Sequence, residues 1–183
     1  MATAASKITP LRRIVTGHDA QGKAIVNMDS ATPNQKTRSA SGLVSALVWA
    51  TDESPANISL STDRADRSTG VAPPDRGTIF RIVDFPPTGE GIDQRAVMRE
   101  MGLSEHQAAR HPMMHRTRSV DYVIVMSGSI DMLLDDTEVH MNTGDVMVQQ
   151  GTNHAWVNRG SEVCRIAFVL VDAVAPAGID YGH

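Results

Sequence analysis

The chain has 183 residues, of which 21% are charged and 41% hydrophobic, with a formal net charge of −4. This length fits one domain with its own core, and the negative balance excludes a broad basic surface for a nucleic-acid backbone. The N-terminus has no apolar signal stretch, and no run of about 18 apolar residues occurs. Neither a membrane nor a nucleic acid is therefore an expected partner, and the cytoplasm is the predicted location.

The first part of the chain alternates short β-type runs with turn residues. Three strands are predicted, at 11–15, 24–28 and 43–49, the first two as a hairpin. Segments 29–41 and 51–76 are rich in Ser, Thr, Asn, Asp, Pro and Gly, and both predict loops. We interpret residues 1–77 as an N-terminal extension whose strands pack on the rest of the domain or across a homodimer, the most common closed oligomer.

The second part predicts closely spaced strands after a single helix. A strand is expected at 77–85, and apolar residues at a spacing of three to four predict a helix within 93–109. Further strands are predicted at 120–126, 129–134, 138–141, 145–149, 154–158 and 164–171. Gly, Asn or Asp occupies each connecting turn, as short antiparallel hairpins require. Hairpins in series favour closure into a barrel, so the fold class is all-β, with residues 78–183 as the barrel.

Two histidine-bearing segments carry the candidate chemistry. Period-two alternation places His115, Thr117, Ser119 and Asp121 on one face of an extended segment. In a second segment His154, Trp156 and Asn158 share a face. An imidazole or carboxylate inside a small barrel must be satisfied by another side chain, water or a metal ion. The alternative is a pair of histidines that bond only to the backbone.

Both segments resemble the two motifs of the cupin superfamily. The first motif is a glycine, five residues, His-x-His, three or four residues, Glu, six residues and Gly. This chain has His115-Arg116-Thr117, three residues, Asp121, six residues and Gly128. The second motif is Gly, then Pro-x-Gly, two residues, His, three residues and Asn, and here Gly151, His154 and Asn158 keep that spacing.

The departures from these motifs concern the metal ligands. Thr117 stands where the second metal-binding His is expected, and Asp121 replaces the Glu. Gln149 takes the proline position, the stretch from Gly144 to His154 is one residue short, and the opening glycine is missing. The resemblance covers roughly residues 113–171.

The resemblance implies a cupin jelly-roll barrel with a small-molecule site. Its metal site would be a reduced set of His115, Asp121 and His154 holding Fe, Zn, Mn or Ni, a donor set that suits a divalent transition metal. Thr117 would donate a hydrogen bond to substrate or bound water, and Trp156 and Asn158 would contact substrate. Dioxygenase, decarboxylase, dehydratase and isomerase reactions are all compatible, and no nucleotide cofactor is expected.

The alternative is a metal-free cupin, either a small-molecule binding protein or an acid–base enzyme. In it His115 or His154 would act with Asp121 as the orienting partner. The remaining candidates are assigned to structural positions: His18 to a turn, His111 to a loop, His140 to the surface, Trp49 to core or dimer packing, and Cys164 to the core.

Overall fold

A computed structural model of the chain describes residues 11–59, 62–89, 96, 99, 100, 110, 111 and 113–181. Within these residues the chain forms eleven strands. They are β1 (Arg12–His18), β2 (Ala24–Ala31), β3 (Asn34–Thr37), β4 (Val44–Thr51), β5 (Thr78–Phe85), β6 (Ser119–Ser127), β7 (Ser129–Leu133), β8 (Glu138–Asn142), β9 (Val146–Gln150), β10 (Ala155–Val157) and β11 (Cys164–Asp172). The all-β class predicted from the sequence is confirmed.

The strands form two facing sheets and a hairpin. The larger sheet has six antiparallel strands in the order β3-β4-β5-β11-β6-β9, and the smaller has three in the order β10-β7-β8. The core lies between these sheets and contains Ile79 of β5, Val123 of β6, Ile130 of β7 and Ile166 of β11, each at most 1% exposed. Alternation along β6 turns Tyr122 outward, where it is 50% exposed.

The N-terminal strands join the larger sheet across the predicted boundary at 77/78. β4 pairs with β5 and β3 pairs with β4, while β1 and β2 form the predicted hairpin. The loop predicted at 29–41 is wrong for the last three residues of β2 and for the four residues of β3. The sequence of β3, Asn-Gln-Lys-Thr, has no apolar alternation, but a strand at a sheet edge forms its ladder through backbone groups alone. The homodimer stays a prediction.

The predicted loop at 51–76 has no strand among its described residues, yet polar contacts fix it to the sheet. Arg13 of β1, 4% exposed, donates to both carboxylate oxygens of Asp63 at 2.7 and 2.5 Å. Arg64 donates to the carbonyl oxygen of Ala50 at 2.8 Å and to Asp52 at 2.9 Å. Ala65, which follows Arg64, is fully buried in the core. This segment therefore packs as part of the domain.

The helix predicted within 93–109 falls almost wholly outside the described residues, of which Ala96, Arg99 and Glu100 are helical. In the described part of the chain, no helix has the length and apolar character needed to cross a membrane.

Candidate active site

His115 and His154 lie side by side inside the barrel. Each donates its backbone N–H to the carbonyl oxygen of the other at 2.9 Å, forming a single antiparallel bridge next to β6 and β10. The centres of the two imidazole rings are 4.4 Å apart. Two segments that are 39 positions apart in the chain therefore bring the two predicted site histidines into contact.

The same hydrogen-bond pattern orients both imidazoles. Nδ1 of His115 lies 2.9 Å from the carbonyl oxygen of Met113, and Nδ1 of His154 lies 2.9 Å from that of Thr152. A carbonyl oxygen only accepts, so each Nδ1 carries the hydrogen and each Nε2 keeps a lone pair. Burial lowers the pKa of both histidines, and the pKa of His154 falls to about 3, with repulsion from His115 as the second cause. Both rings are therefore neutral bases at pH 7.

Asp121 stands at the end of a chain of hydroxyl groups. Ser119 Oγ donates to Asp121 Oδ1 at 2.6 Å, and Thr117 Oγ1 lies 2.8 Å from Ser119 Oγ. Ser119 has one hydroxyl hydrogen and gives it to the carboxylate, so Thr117 is the donor to Ser119. While Asp121 is ionised, Thr117 can thus only accept a hydrogen bond from a ligand. The sequence predicted instead that Thr117 donates one. Burial raises the pKa of Asp121 to about 6, opposed by its bonds to Ser119 and Gln149 and by Arg81.

Gln149 of β9 connects the carboxylate to one imidazole. Its Nε2 donates to Asp121 Oδ2 at 3.0 Å and lies 3.2 Å from His154 Nε2. The side chain is 3% exposed, and its Oε1 is buried without a hydrogen-bond partner among the described residues. Sequence reasoning noted Gln149 only as a departure from the proline of the motif. Alternation along β9 could have identified Gln149 as an inward-facing residue, because it places Gln149 on the same side of the strand as Met147.

This arrangement does not fit the predicted metal ligands. Among the described residues, no three His, Cys, Asp or Glu side chains converge to hold a metal ion. One amide hydrogen of Gln149 engages Asp121 Oδ2, and the other engages the single lone pair of His154 Nε2, which a metal ion would need. Hydrogen bonds, and not a common centre, thus connect Asp121 to His154.

A cavity of about 100 Å³ lies against these groups. His115, His154, Asp121 and Thr117 line it together with Trp156, so five predicted site residues meet at one space. Its other lining residues are Arg38, Leu43, Ser45, Val71, Arg81, Val83, Phe85, Met113, Phe168 and Leu170. The volume is below the roughly 150 Å³ of an engineered cavity that holds benzene, so the space suits a small group of a ligand.

Trp156 forms an aromatic wall beside the histidines. Its ring packs edge-on against Phe168, with centres 5.5 Å apart, and against His154 at 6.0 Å. Phe85 lies 6.4 Å from Trp156 and completes this side. The cavity therefore combines imidazole and carboxylate groups with an apolar surface.

Asn158, predicted to contact substrate, does not line this cavity. Its Nδ2 donates to the carbonyl oxygens of Phe85 and Glu162 at 2.9 and 2.7 Å, and its Oδ1 accepts from the backbone N–H of Gly160 at 2.9 Å. The side chain is 1% exposed. These contacts hold the turn after β10 against the end of β5, which is a structural position.

The other candidates also lie outside the cavity lining. His18 and His140 are exposed on β1 and β8, and His140 Nδ1 lies 2.7 Å from Asp131 Oδ1. His111 Nδ1 accepts from the backbone N–H of Met113 at 3.1 Å. Trp49 packs 6.0 Å from the guanidinium of Arg13, and Cys164 is fully buried.

Comparisons with known proteins identify a family and several relatives. The model of a family described as "Cupin domain" matches residues 101–171. The phomopsin biosynthesis cluster protein C' of Diaporthe leptostromiformis is 34% identical over 177 residues, covering 92% of this chain and 81% of that protein. The cupin-domain-containing oxidoreductase fogC of Aspergillus ruber is 27% identical, covering 87% of this chain and 71% of that protein. Among solved structures, the Cnp3 cupin domain of Schizosaccharomyces pombe has a TM-score of 0.46 and 11% identity, covering 88% and 87% of the two chains.

Proposed function

The chain belongs to the cupin family, and we propose that it is an enzyme of the isomerase or dehydratase type. In this proposal it moves a proton of a small organic substrate without a metal ion. His115 is the proposed base, and the hydroxyl chain ending at Asp121 is the proposed acid. The names of its relatives, which include cupin-domain-containing oxidoreductases and biosynthesis cluster proteins, support an enzyme acting on a small organic molecule.

This proposal rests on the hydrogen bonding of the two imidazole Nε2 atoms. Nε2 of His154 is engaged by Gln149, whereas Nε2 of His115 has no hydrogen bond among the described residues. His115 lines the cavity and is neutral, so its lone pair is available to a substrate. A neutral imidazole within reach of a substrate C–H is a suitable general base.

The hydroxyl chain supplies the complementary acid. When Asp121 is protonated, the chain reverses: Asp121 donates to Ser119, Ser119 donates to Thr117, and the Thr117 hydrogen is free for the cavity. The raised pKa of Asp121, about 6, keeps this protonated form accessible near neutral pH. A proton then leaves substrate carbon for His115 while Thr117 protonates substrate oxygen and is reprotonated through Ser119 by Asp121.

This pair of transfers defines the reaction type. Removal of a proton next to a carbonyl with protonation of the carbonyl oxygen gives an enol, the first step of an isomerisation. If the oxygen protonated is instead a hydroxyl two carbons from the carbonyl carbon, it leaves as water. Gln149 is a positioning residue in this scheme, because it fixes Asp121 and His154 relative to each other.

Deuterium exchange tests the proposed base without knowledge of the full substrate. Small 2-oxo acids and 1,3-dicarbonyl compounds are incubated with the protein in D2O, and loss of the C–H signal beside the carbonyl is followed by NMR. We expect exchange above the buffer rate, unchanged by a chelator, and reduced about 100-fold or more in His115→Gln. The exposed His140 provides the control, and His140→Gln should exchange like wild type.

Two results would overturn the proposal. In the first, wild type exchanges no compound of the panel faster than His115→Gln does. In the second, a chelator abolishes exchange and a divalent metal restores it, which would favour the metal site predicted from the sequence.

A further inference from the structure

A cation faces the cavity from β5. Alternation along this strand places Arg81 on the same side as Ile79 and Val83, which are 0% and 6% exposed, and strand pairing sets Arg81 opposite Phe168 of β11. Arg81 also lines the cavity. A guanidinium in an otherwise apolar row is costly unless a partner compensates its charge.

Protein groups compensate this charge only in part. One terminal nitrogen of Arg81 donates to the carbonyl oxygens of Gly70 and Val71 at 2.8 and 3.1 Å. Its Nε is buried without a partner, and no carboxylate of the described residues forms an ion pair with it. By contrast, Arg165 on the outer side of the sheet donates to both oxygens of Asp84 at 2.6 and 2.7 Å. Burial lowers the pKa of Arg81 to about 10, so it stays protonated at neutral pH.

A second guanidinium lines the same space. Arg38, in the turn after β3, donates to the carbonyl oxygen of Glu100, and among the described residues no carboxylate pairs with it. Asp121 lines the cavity too, and its charge raises the pKa of Arg81, whereas the charge of Arg38 lowers it. Two guanidinium groups and one carboxylate leave a net positive charge at a partly desolvated cavity, which favours a second anion.

The apolar wall specifies the rest of the ligand. Phe85, Trp156 and Phe168 line the cavity, with ring centres 5.5 to 6.4 Å apart. A planar guanidinium matches the two oxygens of a carboxylate better than it matches a single charged atom. We infer that Arg81 and Arg38 bind the carboxylate of a small organic acid whose apolar part packs on these rings. The inference rests on the proposed function in identifying this acid as the substrate.

Calorimetric titration with matched pairs of probes tests the subsite. Propionate is compared with propionamide, and acetate with acetamide, since each amide has nearly the shape of its acid without the charge. We expect each carboxylate to bind wild type at least about tenfold more tightly than its amide, as charge-assisted hydrogen bonds provide. Arg81→Met should abolish this preference, and Arg38→Met should reduce it several-fold.

Control variants separate charge at the cavity from charge elsewhere. Arg12 has a side chain that is 70% exposed on β1, so Arg12→Met should keep the full preference. If Arg81→Met fails to fold, as judged by circular dichroism, Arg38→Met and Arg81→Lys decide, because both should lower the preference. Equal binding of acids and amides, absence of binding, or a preference that survives these substitutions overturns the inference.

The same probes distinguish this inference from the proposed function. His115→Gln should keep the preference for carboxylates, since it removes no cation. A wild-type protein that prefers carboxylates but exchanges no deuterium would overturn the proposed function alone. Exchange without carboxylate preference would overturn the subsite alone.

Discussion

Replacing His154 by Gln should make the free energy of unfolding less sensitive to acid. His154 is 3% exposed, and its burial lowers its pKa from 6.5 to about 3. Below pH 6.5 the unfolded chain binds a proton that the folded chain does not bind. The stability contribution is therefore complete above pH 6.5 and is lost as the pH falls towards 3. Between pH 7 and pH 5 the loss is about 2 kcal/mol, because the difference in bound protons extends over more than one pH unit at about 1.4 kcal/mol per unit.

Urea unfolding at pH 7, 6 and 5, followed by the fluorescence of Trp49 and Trp156, measures this loss. At pH 7 His154→Gln should be less stable than wild type, because Thr152 and Gln149 lose a bonding partner. At pH 5 the difference between the two proteins should shrink by about 2 kcal/mol.

The contribution of Asp121 has the opposite sign. Its pKa is raised to about 6, so its stability contribution is lost as the pH rises through that value, in both proteins alike, and it cancels from the difference. His18 is exposed on β1, so His18→Gln serves as the control for replacing a histidine by Gln outside the site. A His154→Gln difference that stays constant within about 0.5 kcal/mol from pH 7 to pH 5 would refute a neutral, buried His154.

Four further outcomes are expected. Arg165→Ala leaves Asp84, 5% exposed, without its partner and should lower the free energy of unfolding by about 3 kcal/mol in urea titrations; an unchanged value contradicts the buried pair. Asn158→Ala removes three hydrogen bonds to the backbone and should lower the free energy of unfolding by about 2 kcal/mol. Calorimetry should find its affinity for propionate unchanged, and a loss of affinity would favour the substrate-contact role. Gly77→Ala would place a Cβ 2.2 Å from the carbonyl oxygen of Thr51, and a thermal melt should show a lower midpoint; a midpoint equal to wild type contradicts this close approach. Dialysis against a chelator should leave the midpoint unchanged within about 1 °C, and a fall that one divalent metal reverses would contradict the hydrogen-bonded site.

Much of the barrel could be predicted because apolar alternation and turn glycines are local properties. The strand predicted at 145–149 is observed as Val146–Gln150, and that at 164–171 as Cys164–Asp172. Residues 34–37 could not be predicted in this way, because a short polar edge strand is stabilised by its neighbour's backbone and leaves no pattern in its own side chains.

Arg81 in the cavity lining and Gln149, which contacts two lining residues, were likewise missed for a physical reason. Arg81 lies in the run Thr-Ile-Phe-Arg-Ile-Val-Asp-Phe, where alternation indicates that it shares a side with Ile79 and Val83 but not which side is enclosed. The side becomes known only when β4 and β11 pair with β5. For Gln149, too, alternation along β9 does not indicate which side of the strand is enclosed. Its contact with Asp121 depends on the register of β6 and β9.

Resemblance to the two motifs predicted the cupin fold. Period two along a strand allowed His115, Thr117 and Asp121 to be assigned to one face and His154 and Trp156 to another. How these faces meet depends on contacts between strands that are distant in sequence. Gln149 and Asp121 are 28 positions apart, and the hydrogen bond of 3.0 Å between them joins β9 to the hydroxyl chain of β6. Hydrogen bonding requires a match of donor and acceptor within a few tenths of an ångström, and no periodicity in one strand encodes its distance to another.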